Sequence, residues 1–457
     1  MTTPAIPEFP DGFLWGVATS AYQIEGGVDA DGRGPSTWDT FCARPGSVLG
    51  GDTAAVATDH YHRHDEDVAL MTELGLGAYR FSISWPRVLP AGWGEVNQAG
   101  LDFYDRLVDE LCAADIAPAV TLFHWDTPQV MEDAGGWLAR DTANRFADYA
   151  ALVGGRLGDR VKLWMPLNEP MVLTLFGYAL GVHAPGWQLM FKALPVAHHQ
   201  LLGHGLATQA LRAAGASGIG IANHHTPVWP ASAAPADQEA ARAYDALVNE
   251  LFAAPVLLGE YPTAELAAAM PGPVADDLLV ISTPLDWYGV NYYQPSRVGA
   301  PRAGAGAAVV DGSTMPDGLP FDLPAIEGYP LTDFGWPVVP DGLREVLVTL
   351  RSRYGAALPP VYVTENGCAY GEQPDGEGRV GDARRIEFLA GHLHAARQAI
   401  DEGVDLRGYF VWSLLDNFEW AAGYSQRFGL VHVDYETLVR TPKDSFHWYR
   451  ELIRTRR

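Results

Sequence analysis

The sequence predicts an α/β protein built as a single (β/α)8 barrel, a TIM barrel, over residues 1–457, with extended loops after the strands forming the mouth of a site. Three observations predict it. Eight short apolar runs of strand character begin near residues 13, 78, 116, 161, 218, 284, 360 and 407. Helical stretches separate most of them, and strand alternating with helix implies parallel strands joined by crossovers. Polar and aromatic residues gather at the C-terminal ends of the runs: Gln23, Arg80, His124, Glu169, Tyr293, Glu365 and Trp412. Folding does not require them there, whereas barrels of this class carry their sites on that rim.

Each element has its own signal. Residues 13–20 read as a buried strand entering a polar, glycine-containing turn. Residues 59–75 place Val68, Met71 and Leu74 on one helical stripe, which Gly75 and Gly77 end. Residues 79–85 alternate apolar with polar up to Pro86, so Arg80, Ser82 and Ser84 share a face. A helix over 101–114 precedes a strand over 116–125, which closes on His124-Trp125-Asp126. Residues 141–157 are helical, with Asp141 as the expected N-cap. After the run that ends in Asn168-Glu169-Pro170 come a helix over 191–214, a strand over 218–226 and a helix over 238–252. Residues 285–293 form an aromatic-rich strand. Residues 299–324, mostly Ala, Gly, Pro and Asp, read as a long exposed loop. Helices over 341–354 and 382–402, a strand over 407–415 and a terminal helix over 445–454 complete the chain.

Composition narrows the function. Apolar residues make up 48%, ample for a large core, and the net charge of −25 argues against nucleic acid or an anionic membrane surface as a partner. Cys42, Cys112 and Cys368 are odd in number and widely spaced, as free thiols in a reducing compartment would be. No apolar run approaches the roughly 18 residues of a membrane span. The first ten residues lack a basic segment followed by an apolar one, so no signal peptide is expected and the cytoplasm is the expected location.

Two stretches carry the chemistry. Val361-Tyr362-Val363-Thr364-Glu365-Asn366-Gly367 delivers a carboxylate to a strand tip, where glycine turns the chain. Leu163-Trp164-Met165-Pro166-Leu167-Asn168-Glu169-Pro170 does the same. Two carboxyl groups on separate strands suit glycoside hydrolysis, in which one protonates the leaving oxygen and the other acts at the sugar carbon.

From about Phe9 to Trp448 the chain resembles the family-one glycoside hydrolases, the β-glucosidase family. The matching stretches are Phe13-Leu14-Trp15-Gly16 with Gln23-Ile24-Glu25-Gly26, Tyr79 through Trp85, His124-Trp125-Asp126, Asn168-Glu169-Pro170, Asn291-Tyr292-Tyr293, Thr364-Glu365-Asn366-Gly367 and Trp412 through Trp420. The resemblance implies that Glu169 is the general acid/base and Glu365 the nucleophile of a retaining enzyme. It implies that Arg80 and Tyr293 favour the ionised form of Glu365. Sugar contacts are expected from Gln23, His124, Trp125, Asn168, Asn291, Tyr293, Trp412, Glu419, Trp420 and Phe428, with Trp336 as a platform for the leaving group. Hydrogen-bonding side chains would take the hydroxyls, and indoles would stack on the ring face.

Small β-glycosides or oligosaccharides are the implied partners, with no cofactor and no metal; glucoside, galactoside and fucoside remain open, as does the oligomeric state. Glu419 would repel a 6-phosphate, and Phe428 stands where phosphoglycosidases tend to have Tyr, so an unphosphorylated sugar is preferred over a 6-phospho-β-glycoside. Two alternatives belong to other classes. A non-catalytic sugar-binding barrel would be expected to lack Glu169 or Glu365. A metal-dependent hydrolase would need converging ligands, for which His124, His224 and His225 are the candidates. Two residues depart from the family pattern: Pro166 before Asn168, and Met171 after the Asn-Glu-Pro, where the family often has Trp.

Overall fold

A computed structural model of the chain describes residues 6–302, 309–310, 313–315 and 318–456. Eight parallel strands form its centre: β1 (Leu14–Ala18), β2 (Ala78–Ser82), β3 (Ala117–Phe123), β4 (Leu163–Leu167), β5 (Ala222–His224), β6 (Tyr288–Asn291), β7 (Val361–Asn366) and β8 (Leu406–Trp412). Their order in the sheet is β4-β3-β2-β1-β8-β7-β6-β5. Parallel bridges from Trp164 to Ile219 and from Asn168 to Ala222 bring the two ends of the sheet together. A nearly closed barrel results, as its eight strand starts imply.

Helices cover the outside, and their apolar stripes explain their seats. Alpha-helix α1 (His60–Leu74) buries Val68, Met71 and Leu74 as expected. Leu101, Tyr104, Leu107, Val108 and Leu111 face inward on α2 (Gln98–Ala113), and Phe146, Tyr149, Ala150, Val153 and Leu157 do so on α3 (Asp141–Leu157). On α4 (Leu194–Ala213) burial runs nearly all round. Next come α5 (Pro235–Asp245), α6 (Leu251–Leu258), α7 (Val274–Ile281), α8 (Pro340–Tyr354), α9 (Ala383–Asp401) and α10 (Asp444–Arg456).

Inside the barrel, small residues make room for large ones. Ala18, Ala78, Ala119 and Ala222 share one buried cluster with Trp287, Phe410 and Trp412. A Cβ on Gly16 would sit 2.4 Å from the Phe410 ring, so this glycine is what lets that ring fill the interior.

Four expectations need correction. Asp141 is not an N-cap: it lies in the first turn of α3 and accepts a hydrogen bond from Arg145 Nε at 2.6 Å, where its charge still complements the helix N-terminus. The helix expected over 238–252 begins at Pro235, passes through a π-helical segment, Ala246–Glu250, and resumes as α6. The fifth strand is shorter than its apolar run, because Ile219 meets β4 through an isolated bridge and Gly218 adopts a left-handed φ of 70°. The loop expected over 299–324 lies partly outside the described residues. Its described part is not simply exposed: Gly299 and Asp322 exchange backbone hydrogen bonds, Val309–Val310 pairs with Ser313–Thr314, and Met315 is buried.

Candidate active site

The ends of β4 and β7 meet across one cavity of about 140 Å³. Glu169 follows β4 with φ at 43°, a left-handed backbone for a side chain that rarely takes one. Its neighbours hold it there. The Glu169 N–H donates to the Ala222 carbonyl at 2.8 Å, and the Asn168 N–H to the Phe123 carbonyl at 3.0 Å. Trp125 Nε1 donates to the Asn168 carbonyl at 3.0 Å. Pro170, at the start of a helical turn, turns the chain away. Pro166 falls between the two bridges that join β4 to its neighbour, where its missing N–H spares both. Asn168 is held regardless: Arg80 Nη2 donates to its Oδ1 at 2.5 Å, and Asn291 Nδ2 does so at 3.0 Å.

Glu365 ends β7 and is gripped from two sides. Arg80 Nη1 donates to Oε1 at 2.5 Å, and the Tyr293 hydroxyl donates to Oε2 at 2.6 Å. Gly367 is required by close approach: a Cβ there would lie 1.7 Å from the Trp412 carbonyl oxygen. Burial pushes the Glu365 carboxyl up to about 7; Arg80 and Tyr293 pull it down, and the charge of Glu169 adds to the rise. Tyr293 is itself held well above the usual phenol range by burial and by Glu365, so it keeps the proton that it donates.

Glu169 is held differently. Asn168 Nδ2 lies 3.3 Å from its Oε2, and His224 Nδ1 lies 3.6 Å from its Oε1. That Oε1 is buried with no hydrogen-bond partner among the described residues. One carboxyl thus receives two strong donors, while the other keeps an oxygen without a hydrogen bond in the cavity wall. Two carboxyls so arranged can divide acid and nucleophile roles.

The rest of the cavity suits a sugar. His124 accepts from Asn168 Nδ2 at its Nε2, 3.1 Å away, and burial and Arg80 hold it neutral. That tautomer leaves Nδ1–H as an unpartnered donor. Trp412 stacks on His124 at 5.9 Å between ring centres, and Trp125 packs on Trp420 at 4.5 Å. Trp336 stacks on Phe334 at 4.6 Å and lies across from Tyr293 and Phe428. Glu419 accepts from Gln23 Nε2 at 3.3 Å.

Of the residues expected from sequence, His124, Trp125, Glu169, Tyr293, Trp336, Glu365, Trp412, Glu419, Trp420 and Phe428 line this cavity. Gln23, Arg80 and Asn168 are buried and hydrogen-bond the lining residues Glu419, Glu365 and Glu169, and Asn291 hydrogen-bonds Asn168. Gln23 spends its amide on Asn417, the Phe418 carbonyl and Glu419. Asn291 bridges Asn168 and Thr364. His225 hydrogen-bonds the Tyr288 hydroxyl at 2.9 Å, and among the described residues no three potential metal ligands converge.

Sequence reasoning gave no site role to Leu175, Phe176, His183, Tyr244, Val248 or Phe334, all of which line the cavity, and weighed His224 only as a metal ligand. The position of His224 at the tip of β5 was the available signal for that residue. Leu175, Phe176 and Val248 come from π-helical segments, whose residues look like ordinary helix.

Residues 6–457 match the profile of Glycosyl hydrolase family 1. Thermostable β-glucosidase B of Thermobispora bispora is 48% identical over 452 residues, spanning 98% of this chain and 90% of its own. A bifunctional β-D-glucosidase/β-D-fucosidase of Bifidobacterium breve is 45% identical, covering 97% of this chain and 98% of its own. The crystal structure of the psychrophilic β-glucosidase from Micrococcus antarcticus superposes with a TM-score of 0.93 at 48% identity, over 99% of this chain and 98% of that one. A profile match over nearly the whole length, together with relatives sharing close to half their residues, settles the family: the chain belongs to glycosyl hydrolase family 1.

Proposed function

We propose that the protein is a retaining β-glycosidase that removes a terminal β-glucosyl residue and also accepts β-fucosyl or β-galactosyl residues. The observation that carries the roles is the asymmetry between the carboxyls: Glu365 has a guanidinium and a hydroxyl donating to it, while Glu169 keeps one oxygen without a hydrogen bond. Donors aimed at a carboxylate favour its anion, and a carboxyl oxygen left facing the cavity is placed to meet the leaving group. Glu365 is therefore the nucleophile and Glu169 the acid.

Glu169 gives its proton to the glycosidic oxygen as the Glu365 carboxylate bonds to C1 and the C1–O bond breaks. The leaving alcohol departs from a covalent glycosyl-enzyme. Esterification removes the charge of Glu365, so Glu169, now a carboxylate, takes a proton from water. The water oxygen bonds to C1 and frees Glu365. Two inversions at C1 retain the β configuration.

Asn168, fixed by Arg80 and Asn291, presents its Nδ2 toward Glu169 and His124, the side from which a 2-hydroxyl would be met. Glu419, carried by Gln23, accepts from sugar hydroxyls and repels a 6-phosphate. The bifunctional relative supports tolerance at the epimeric 4-hydroxyl. We place the protein in the cytoplasm as one domain, acting on oligosaccharides from β-glucan or cellulose breakdown or on plant glycosides.

Proton NMR of the first product formed from an aryl β-glucoside tests this reading. Initial release of the β-anomer is expected, and initial α-anomer contradicts it.

A further inference from the structure

A second cavity, of about 100 Å³, opens beside the catalytic one. Leu175, Phe176 and Tyr244 line both, so the two spaces meet at one wall. Their chemistry differs. The catalytic cavity presents Glu169, Glu365, Glu419 and His124. No charged side chain lines the second among the described residues; Leu247 and Leu323 are among its walls, and Phe191, 57% exposed, lies at its rim.

The backbone builds this wall in two places by the same device. After the Glu169 turn the chain runs through Pro170–Val172 into a π-helical segment, Leu173–Ala179. That segment supplies Leu175 and Phe176. A second π-helical segment, Ala246–Glu250, turns Val248 to the catalytic cavity and the adjacent Leu247 to the apolar one. Wide turns of this kind recur at functional sites because they re-aim neighbouring side chains.

We propose that the second cavity is an annex for the leaving group, and that the enzyme takes β-glycosides whose aglycone carries an extended hydrocarbon chain. This rests on the reading of Glu169 as the acid. Protonation by Glu169 puts the glycosidic oxygen beside it, and the aglycone then passes Met171, Leu175 and Phe176. Past that point an alkyl tail meets Leu247 and Leu323, whereas a second sugar would turn most of its hydroxyls against apolar side chains, Thr174 and Tyr244 being the hydroxyl-bearing ones among the described lining residues.

The test is kcat/KM across the ethyl, butyl, hexyl and octyl β-D-glucosides, each below its micellar concentration. These leaving alcohols are nearly equal in acidity, so the slope reads binding. We expect a gain of about two- to fourfold per added methylene, as its transfer from water allows. Leu247→Glu, and separately Phe191→Ser at the exposed rim, should each lower the octyl-to-ethyl ratio, by about tenfold for the charged variant. A flat series on an enzyme that hydrolyses the ethyl glucoside overturns the annex alone. An unchanged ratio in both variants does the same. Failure to hydrolyse any member, or an aryl β-glucoside, overturns the glycosidase reading and the annex with it.

Discussion

Glu365 shows how one residue's neighbours decide what it can do. Burial and the charge of Glu169 raise its carboxyl to about 7, while the Arg80 guanidinium and the Tyr293 hydroxyl pull the other way. Removing the hydroxyl leaves burial less opposed, so the proposed nucleophile ionises only at higher pH. Tyr293→Phe should therefore move the acid limb of the kcat/KM profile upward and lower its plateau by about a hundredfold, the usual cost of one well-placed donor. A pH–rate series on both proteins checks this; an acid limb that stays put or moves down goes against it. Glu169 calls for a different experiment, because its work depends on the leaving group. Glu169→Gln should cost about 10²–10⁴-fold in kcat/KM with alkyl glucosides, which need a proton, and far less in kcat/KM with dinitrophenyl glucosides, which do not. Equal losses across both classes would remove Glu169 from the acid role.

At the scale of elements, the site depends on backbone in unusual states in the segments that follow the strands. Trp125, Glu169 and Trp420 line the cavity with φ of 73°, 43° and 48°. Strain of this kind persists where surrounding contacts over-determine it, and here the bonds of Asn168 and Glu169 to β3 and to Ala222 do so. Gly367 is the matching device on β7, packed against the Trp412 carbonyl. Gly367→Ala must displace that contact, so urea unfolding should show a loss of about 3 kcal/mol, and activity should fall because Glu365 lies two residues away. Wild-type stability in this variant would mean that the strand tip is softer than its packing implies. Strand ends were the most legible feature of the sequence. Apolar runs announce them, and the carboxylates, His124 and the indoles sit at their tips. The π-helical segments were not legible: residues 173–179 and 246–250 have helical composition, and nothing local marks the wider turn.

Across the whole molecule, barrel closure is what turns scattered residues into a site. Arg80 touches Glu365 and Asn168, although 285 and 88 residues separate it from them in sequence. Eight strand starts implied that convergence, and β4 meets the β5 segment as closure requires. Depth within the wall was harder to read. Gln23 and Asn291 are fully buried and hydrogen-bond Glu419 and Asn168. Sequence position gives a residue's strand, not which of its neighbours will claim its hydrogen bonds. The central claim is that Glu365 forms a covalent bond to the sugar while Glu169 serves the leaving group. Intact mass after incubation with 2-deoxy-2-fluoro-β-D-glucosyl fluoride, followed by peptide mapping, tests it most directly. The account predicts one stable fluoroglucosyl adduct, on the peptide that holds Glu365. An adduct on any other residue, or none on an enzyme that still hydrolyses aryl β-glucosides, would contradict it.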